Sequence, residues 1–156
     1  MQNNDLYLTA QGAEKLKQEL EVLITQERTK ISKRLKSAIE QGDLTENADY
    51  ISAKEEQAFL EGRIQELEFL LKNAIIIENM EKDISTVGIG DMVTIQEKGF
   101  PEEKYYVVGS KEANPSNGLI SHLSPLGKAI IGCKAGDQVK VNTPDGPLII
   151  TIIKIE

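Results

Sequence analysis

The sequence predicts an α+β chain. Residues 1–78 read as an antiparallel two-helix coiled-coil hairpin, and residues 79–156 as a small antiparallel β-sheet domain with one short helix. Three observations carry this. Apolar residues recur at three- and four-residue steps between Ala13 and Ala74, which is the helical period. A short polar stretch beginning at Gly42 divides that pattern into two runs of similar length. From Ile75 onward the helical period is lost, and β-branched runs alternate with glycine- and proline-containing turns.

The first helix opens at Leu8-Thr9-Ala10-Gln11-Gly12, where Thr9 is the N-cap whose hydroxyl accepts from an unpaired backbone amide. Ala13, Leu16, Leu20, Leu23, Ile24, Ile31, Leu35 and Ala38 then form its apolar face, no proline interrupts it, and Gly42 ends it. About 30 residues at a 1.5 Å rise give a helix roughly 45 Å long. In the second helix Tyr50, Ala53, Gln57, Leu60, Ile64, Leu67 and Leu71 form a regular a/d seam, followed by Ala74. Lys54, Glu55, Glu61 and Glu68 lie off that seam. Two such helices joined by a short turn pack antiparallel.

The second half carries strand patterns at Gly90–Ile95, Lys104–Val108, Leu119–His122, Gly136–Val141 and Pro147–Ile153. Asp145-Gly146 marks a tight hairpin between the last two. One short helix interrupts them, with Ser124 as N-cap, Pro125 at the first helical position and Gly132 as the stop. Gly-Asp-x-Val occurs twice, from Gly90 and from Gly136, as two turns leading into strands.

Composition narrows the function. The chain has 156 residues, 40% hydrophobic and 28% charged, with a formal charge of −7. That charge opposes general adhesion to nucleic-acid phosphates but allows a local basic stripe. One cysteine, Cys133, cannot make an internal disulfide and reads as a small buried side chain. No signal-peptide pattern opens the chain, and its apolar runs are too short to span a bilayer. The expectation is a soluble cytoplasmic protein with no membrane role.

Two charge clusters stand out. Arg28, Lys30, Lys33, Arg34 and Lys36 form a basic run, read either as a solvated helix face or as a phosphate contact. Beyond it Asp43, Glu46 and Asp49 gather at the hairpin tip. Asp43 and Glu46 have the spacing of a capping box for the second helix. The competing reading is a pair of hard oxygen ligands for a divalent cation, and two carboxylates make only part of a Mg²⁺ site. Such a tip would complete a site on another macromolecule. The single histidine, His122, rules out a histidine-based metal cage and reads as a strand surface residue. No phosphate loop or dinucleotide fingerprint is present.

Gly42-Asp43-Leu44-Thr45-Glu46-Asn47-Ala48-Asp49-Tyr50, with Ala53–Gln57 and Glu61–Ile64, resembles the tip of the Gre family of bacterial transcript-cleavage factors. The likeness continues through Ile120–Gly132, with its Ser-Pro-Leu-Gly motif, and Thr143–Gly146, and so covers nearly the whole chain. The resemblance implies a monomeric factor that binds bacterial RNA polymerase and passes its hairpin through the secondary channel. There it would stimulate the polymerase's own Mg²⁺-dependent cleavage of a backtracked RNA 3′ end, without being an enzyme alone. Asp43 and Glu46 are the implied catalytic and Mg²⁺-holding acids. Asn47, Tyr50, Lys54 and either Arg34 or Lys36 are the implied contacts to RNA or the channel. The second domain would be FKBP-like and dock at the channel rim through Leu123, Ser124, Pro125 and Leu126. The chain departs from the family pattern at Leu123, where many members carry an acidic or amide residue, and at Ile39, where many carry Arg. A channel-blocking inhibitor and a coiled-coil adaptor without a metal role are the alternatives.

Overall fold

The computed structural model describes residues 6–77 and 83–156. Ala13–Asn73 forms one compact unit, and the described residues on either side of it form a second. The domain boundary expected at 78/79 lies outside the described residues. Residues 6–12 and 74–77, expected in the hairpin domain, belong to the sheet unit instead. The reason is a pairing the sequence did not announce. Strand β1 (Tyr7–Thr9) runs parallel to β2 (Ile75–Ile77), and Ile75 donates its amide to the Leu6 carbonyl at 2.7 Å.

The hairpin consists of α1 (Ala10–Val22), a π-helical turn (Leu23–Glu27), α2 (Arg28–Glu40) and α3 (Ala48–Asn73). The first helix is therefore not uniform, as its periodicity predicted. The Thr25 hydroxyl donates to the Glu21 carbonyl at 2.7 Å and that of Thr29 to the Thr25 carbonyl at 3.1 Å. Hydroxyls bonded back along a helix compete for its carbonyls and bend it. Here the Arg28 amide reaches five residues back to Leu23, the signature of a π-turn. Along α3 the seam holds from Ala53 to Leu67 but closes on Leu70 instead of Leu71. The two-helix core is thin, with Leu16, Leu20, Leu23, Ile24 and Ile31 only half-buried. Arginines reinforce it from outside. Arg63 binds Glu19 at 2.8 and 3.0 Å, and Arg28 binds Glu61 at 2.8 and 2.7 Å.

Besides the β1–β2 pair, the second unit holds a five-stranded sheet of β3 (Met92–Glu97), β4 (Glu102–Val108), β5 (Leu119–Ser121), β6 (Gln138–Thr143) and β7 (Gly146–Ile155), with α4 (Pro125–Ile130) on it. Strand order is β5-β4-β3-β7-β6. The expected antiparallel pairing holds throughout except at one edge, where β5 lies parallel to β4. The connection through α4 carries the chain from that edge to the opposite one. Val93, Val107, Ile130 and Ile152 form the fully buried centre. The β6–β7 hairpin closes at Pro144-Asp145, with Thr143 paired to Gly146. Its glycine has φ +118°, a left-handed value that other residues rarely adopt.

The repeated Gly-Asp-x-Val proves to be one device used twice. Asp91 accepts the Gly88 amide at 2.7 Å, and Asp137 accepts the Lys134 amide at 2.8 Å. Gly90 and Gly136, both at φ +93°, donate to Val107 and Ile152 on the neighbouring strand. The same two strand residues return a bond to the Asp91 and Asp137 carbonyls. Each turn thus starts a strand already in register. Among the described residues no helix is long and apolar enough to cross a membrane.

Candidate functional site

The hairpin tip is built from Gln41 to Tyr50. Helix α2 stops where Gly42 takes φ +120°. Asp43 then folds its carboxylate over the next residues, accepting from both the amide and the hydroxyl of Thr45. This is an Asx turn. The hydroxyl bond and then the amide bond hold the Asp43 carboxyl below the ordinary aspartate range. Asp43, Leu44, Thr45 and Glu46 are all exposed.

The capping box expected from Asp43 and Glu46 is not formed. Helix α3 begins at Ala48, and Asn47 is its cap, accepting the Tyr50 amide on Oδ1 at 3.0 Å. The other end of the same side chain donates from Nδ2 to the Ala38 carbonyl in α2 at 2.8 Å. Asn47 thereby satisfies an orphan amide of one helix and adds a donor to the last turn of the other, which an aspartate could not do. The sequence signal was present, since Asn47 stands three residues before Tyr50, the first seam position. Asp43 offered a competing cap, and spacing alone did not separate them.

Of the three tip acids, Asp43 and Glu46 have no ion pair among the described residues. Asp49 accepts from Arg34 Nη2 at 2.8 Å and Nε at 3.0 Å, while Nη1 of the same guanidinium reaches Glu56 at 2.6 Å. Nη2 also meets the Ser52 hydroxyl at 3.2 Å. Arg34 is therefore occupied within the hairpin, and its hydrogen bonds to Glu56 and Asp49 raise its pKa further. Lys36 and Lys54 are exposed, and Lys54 donates to Gln57 at 3.3 Å. Tyr50 is half-buried and Ile39 exposed. Among the described residues no three of His, Cys, Asp and Glu gather to hold a metal ion.

In the sheet unit the Ser-Pro-Leu-Gly motif has a physical account at every position. Ser124 accepts the Gly127 amide on Oγ at 3.0 Å and donates to the Ser121 carbonyl at 2.7 Å. Pro125 occupies the first turn, where no amide is needed. Leu126 points to an apolar cleft of about 300 Å³ that it lines with Phe100, Tyr105, Val141, Leu148 and Ile150. Gly127 passes so close to the preceding strand that a Cβ there would lie 2.1 Å from the Ser121 carbonyl oxygen. Leu123 and Pro125 are exposed, whereas Ser124 and Leu126 are half-buried. The four residues expected at one contact thus divide into an exposed pair and a supporting pair. His122 follows β5 and is not a fully exposed strand residue as expected. It is half-buried, its ring edge-on to Tyr7 at 5.5 Å. Cys133 is partly buried against the core, which pushes its thiol pKa up.

A family model described as "Transcription elongation factor, N-terminal" matches residues 6–76, and one described as "Transcription elongation factor, GreA/GreB, C-term" matches 81–156. The transcription elongation factor GreA of Acetivibrio thermocellus is 47% identical over 154 residues, 98% of this chain and 97% of its own. That of Bacillus subtilis is 47% identical over 149 residues, 95% and 94% of the two chains. Among solved structures, GreA factor homolog 1 of Thermus thermophilus aligns over 97% of this chain and 99% of its own, at 31% identity and a TM-score of 0.44. With both halves matched by the models and nearly its whole length by the curated relatives, this chain belongs to the GreA/GreB family of transcription elongation factors.

Proposed function

We propose that the chain stimulates RNA cleavage by bacterial RNA polymerase, its hairpin entering the secondary channel to bring Asp43 and Glu46 to a backtracked 3′ end. One observation carries this: both acids are exposed, and the capping work that would have explained them is done by Asn47. Two carboxylates are hard oxygen donors that fit Mg²⁺, but they cannot complete its six-oxygen shell. The tip is therefore read as lending ligands to a polymerase-held ion rather than binding one alone. When bound, Mg²⁺ supplies an activated water and stabilises the charge of in-line phosphodiester hydrolysis. Asp43, kept anionic by Thr45, offers its remaining lone pairs as ligands. Glu46 has no ion pair or hydrogen bond among the described residues and is free to accept from the attacking water. Lys36 and Lys54 are the exposed cations suited to RNA phosphates. At the rim, Leu123 and Pro125 present the apolar contact, and Ser124 and Leu126 hold the loop that carries them.

The test uses stalled, backtracked polymerase with 3′-labelled RNA, Mg²⁺ and either the wild type or the Asp43→Asn/Glu46→Gln form. Short 3′ fragments released by the wild type alone support the reading. Equal release by both forms removes the acids from the mechanism. No release by either, with slowed elongation, makes the chain a channel-occupying inhibitor.

A further inference from the structure

We propose that Arg34 is a positioning residue for the acidic tip, clasping the neck of the loop that carries Asp43 and Glu46. The proposal rests on the tip reading above for its catalytic consequence, but its structural content stands separately. Helix α2 meets the start of α3 through two side-chain clasps. Asn47 reaches the Ala38 carbonyl at 2.8 Å. One helical turn earlier, Arg34 takes Asp49 with Nη2 at 2.8 Å and Nε at 3.0 Å, then extends to Ser52 and Glu56. Ile39–Glu46 is the loop beyond both clasps; among the described residues its bonds are local, the Asp43–Thr45 turn and the Gln41 and Gly42 amides to the Ala38 and Ile39 carbonyls. With both clasps closed, the loop is held by its ends. With the Arg34 clasp open, Asn47 is the remaining side-chain hydrogen bond, among the described residues, from the start of α3 to α2.

Arg34 also sets the tip's charge. Its guanidinium neutralises Asp49 and leaves Asp43 and Glu46 as the two uncompensated tip carboxylates. The other cross-helix arginines cannot do this, because Arg28 and Arg63 bind Glu61 and Glu19 far down the shaft. Exposed ion pairs contribute little to global stability, so losing one should act locally, through the orientation of reacting groups.

The experiment compares the full-length wild type with Arg34→Ala, Arg34→Lys and Arg28→Ala. Solvent exchange of the Tyr50 and Ile51 amides, which are bonded to Asn47 Oδ1 and to the Asn47 carbonyl, is read by NMR. The cleavage assay is run over a range of protein concentrations. Arg34→Ala is expected to speed exchange at both amides several-fold and to lower the maximal cleavage rate about tenfold, with half-saturation unchanged. Arg34→Lys should recover part of both, and Arg28→Ala should change neither. Unchanged exchange in Arg34→Ala, equal loosening by Arg28→Ala, or a shift in half-saturation alone overturns the proposal. If the wild type gives no cleavage, the cleavage reading fails on its own, and exchange still decides whether Arg34 holds the tip.

Discussion

Asn47 donates to the Ala38 carbonyl across the turn of the hairpin, so a single side chain ends one helix and starts the next. Replacing it separates the two tasks. Asn47→Ala loses both bonds and should destabilise the hairpin unit by about 1–2 kcal/mol, the range for a lost N-cap. Asn47→Asp keeps an acceptor for the Tyr50 amide but sets a carboxylate against a carbonyl oxygen. It should rank between alanine and wild type at neutral pH in chemical denaturation. If aspartate equals asparagine, the bond to Ala38 contributes nothing.

The Asx turn predicts a titration. Because Thr45 bonds hold the folded Asp43 carboxyl below its unfolded value, their stabilisation is complete above the unfolded pKa and is lost as pH falls through the folded one. Asp43 should therefore stay ionised at pH values where an ordinary aspartate, near about 3.9, is half protonated. Thr45→Ala removes the larger contribution, the hydroxyl bond, and leaves the amide bond. A carboxyl-carbon NMR titration should show Asp43 moving up toward the ordinary value in that variant. A curve that does not move would assign the shift to the backbone alone.

Glycine at position 12 invites a prediction whose sign depends on a second residue. Glu112 accepts the Thr9 amide at 2.8 Å and the Thr9 hydroxyl at 2.6 Å, and that hydroxyl accepts the Gly12 amide at 3.0 Å. In a helix, alanine is preferred to glycine by about 1 kcal/mol. Here the alanine methyl would fall 1.7 Å from Glu112 Oε1 and push that carboxylate away. Bonds to a charged group are worth about 1.5–3 kcal/mol, so Gly12→Ala should destabilise the wild type. In a Glu112→Ala background the clash is gone, and the same substitution should stabilise. Thermal or urea denaturation of the four forms measures the reversal.

These residues also mark where sequence reasoning reached and where it stopped. The hairpin, the period change near Ile75 and the Ser124-Pro125 cap were legible because each is a local pattern set by backbone geometry. The acids Asp43 and Glu46 were legible as a pair at the turn. What stayed hidden depends on partners distant in sequence. Thr9 was recognised as a cap, but Glu112, 103 residues away, was not recognised as its partner. Arg34 read as part of a basic run because nothing in its neighbourhood announced Asp49 and Glu56 on the facing helix. The π-turn at Leu23–Glu27 was missed for a different reason: an extra residue in one turn barely disturbs an apolar pattern that is already interrupted by Thr25 and Gln26.

Leu123 and Leu126 are three residues apart and should respond differently to alanine. Leu126 is half-buried on α4, where it lines the cleft and packs on the sheet core. Helix α4 has six residues, roughly 9 Å of length. It covers only part of the inner sheet face, so little else can fill the space behind Leu126. Truncation there should cost about 2–3 kcal/mol, the low end for a buried leucine because the cleft is already open. It should also lower Tm measured on the sheet unit's signals. Leu123 is 44% exposed, and its backbone amide is held by the Ser121 hydroxyl at 3.0 Å. Leu123→Ala should leave stability within about 0.5 kcal/mol. If Leu123 forms the rim contact, the same substitution should weaken polymerase binding in a titration while the maximal cleavage rate stays the same. A Leu123→Ala protein that binds as tightly as wild type would move the rim contact elsewhere on the sheet unit.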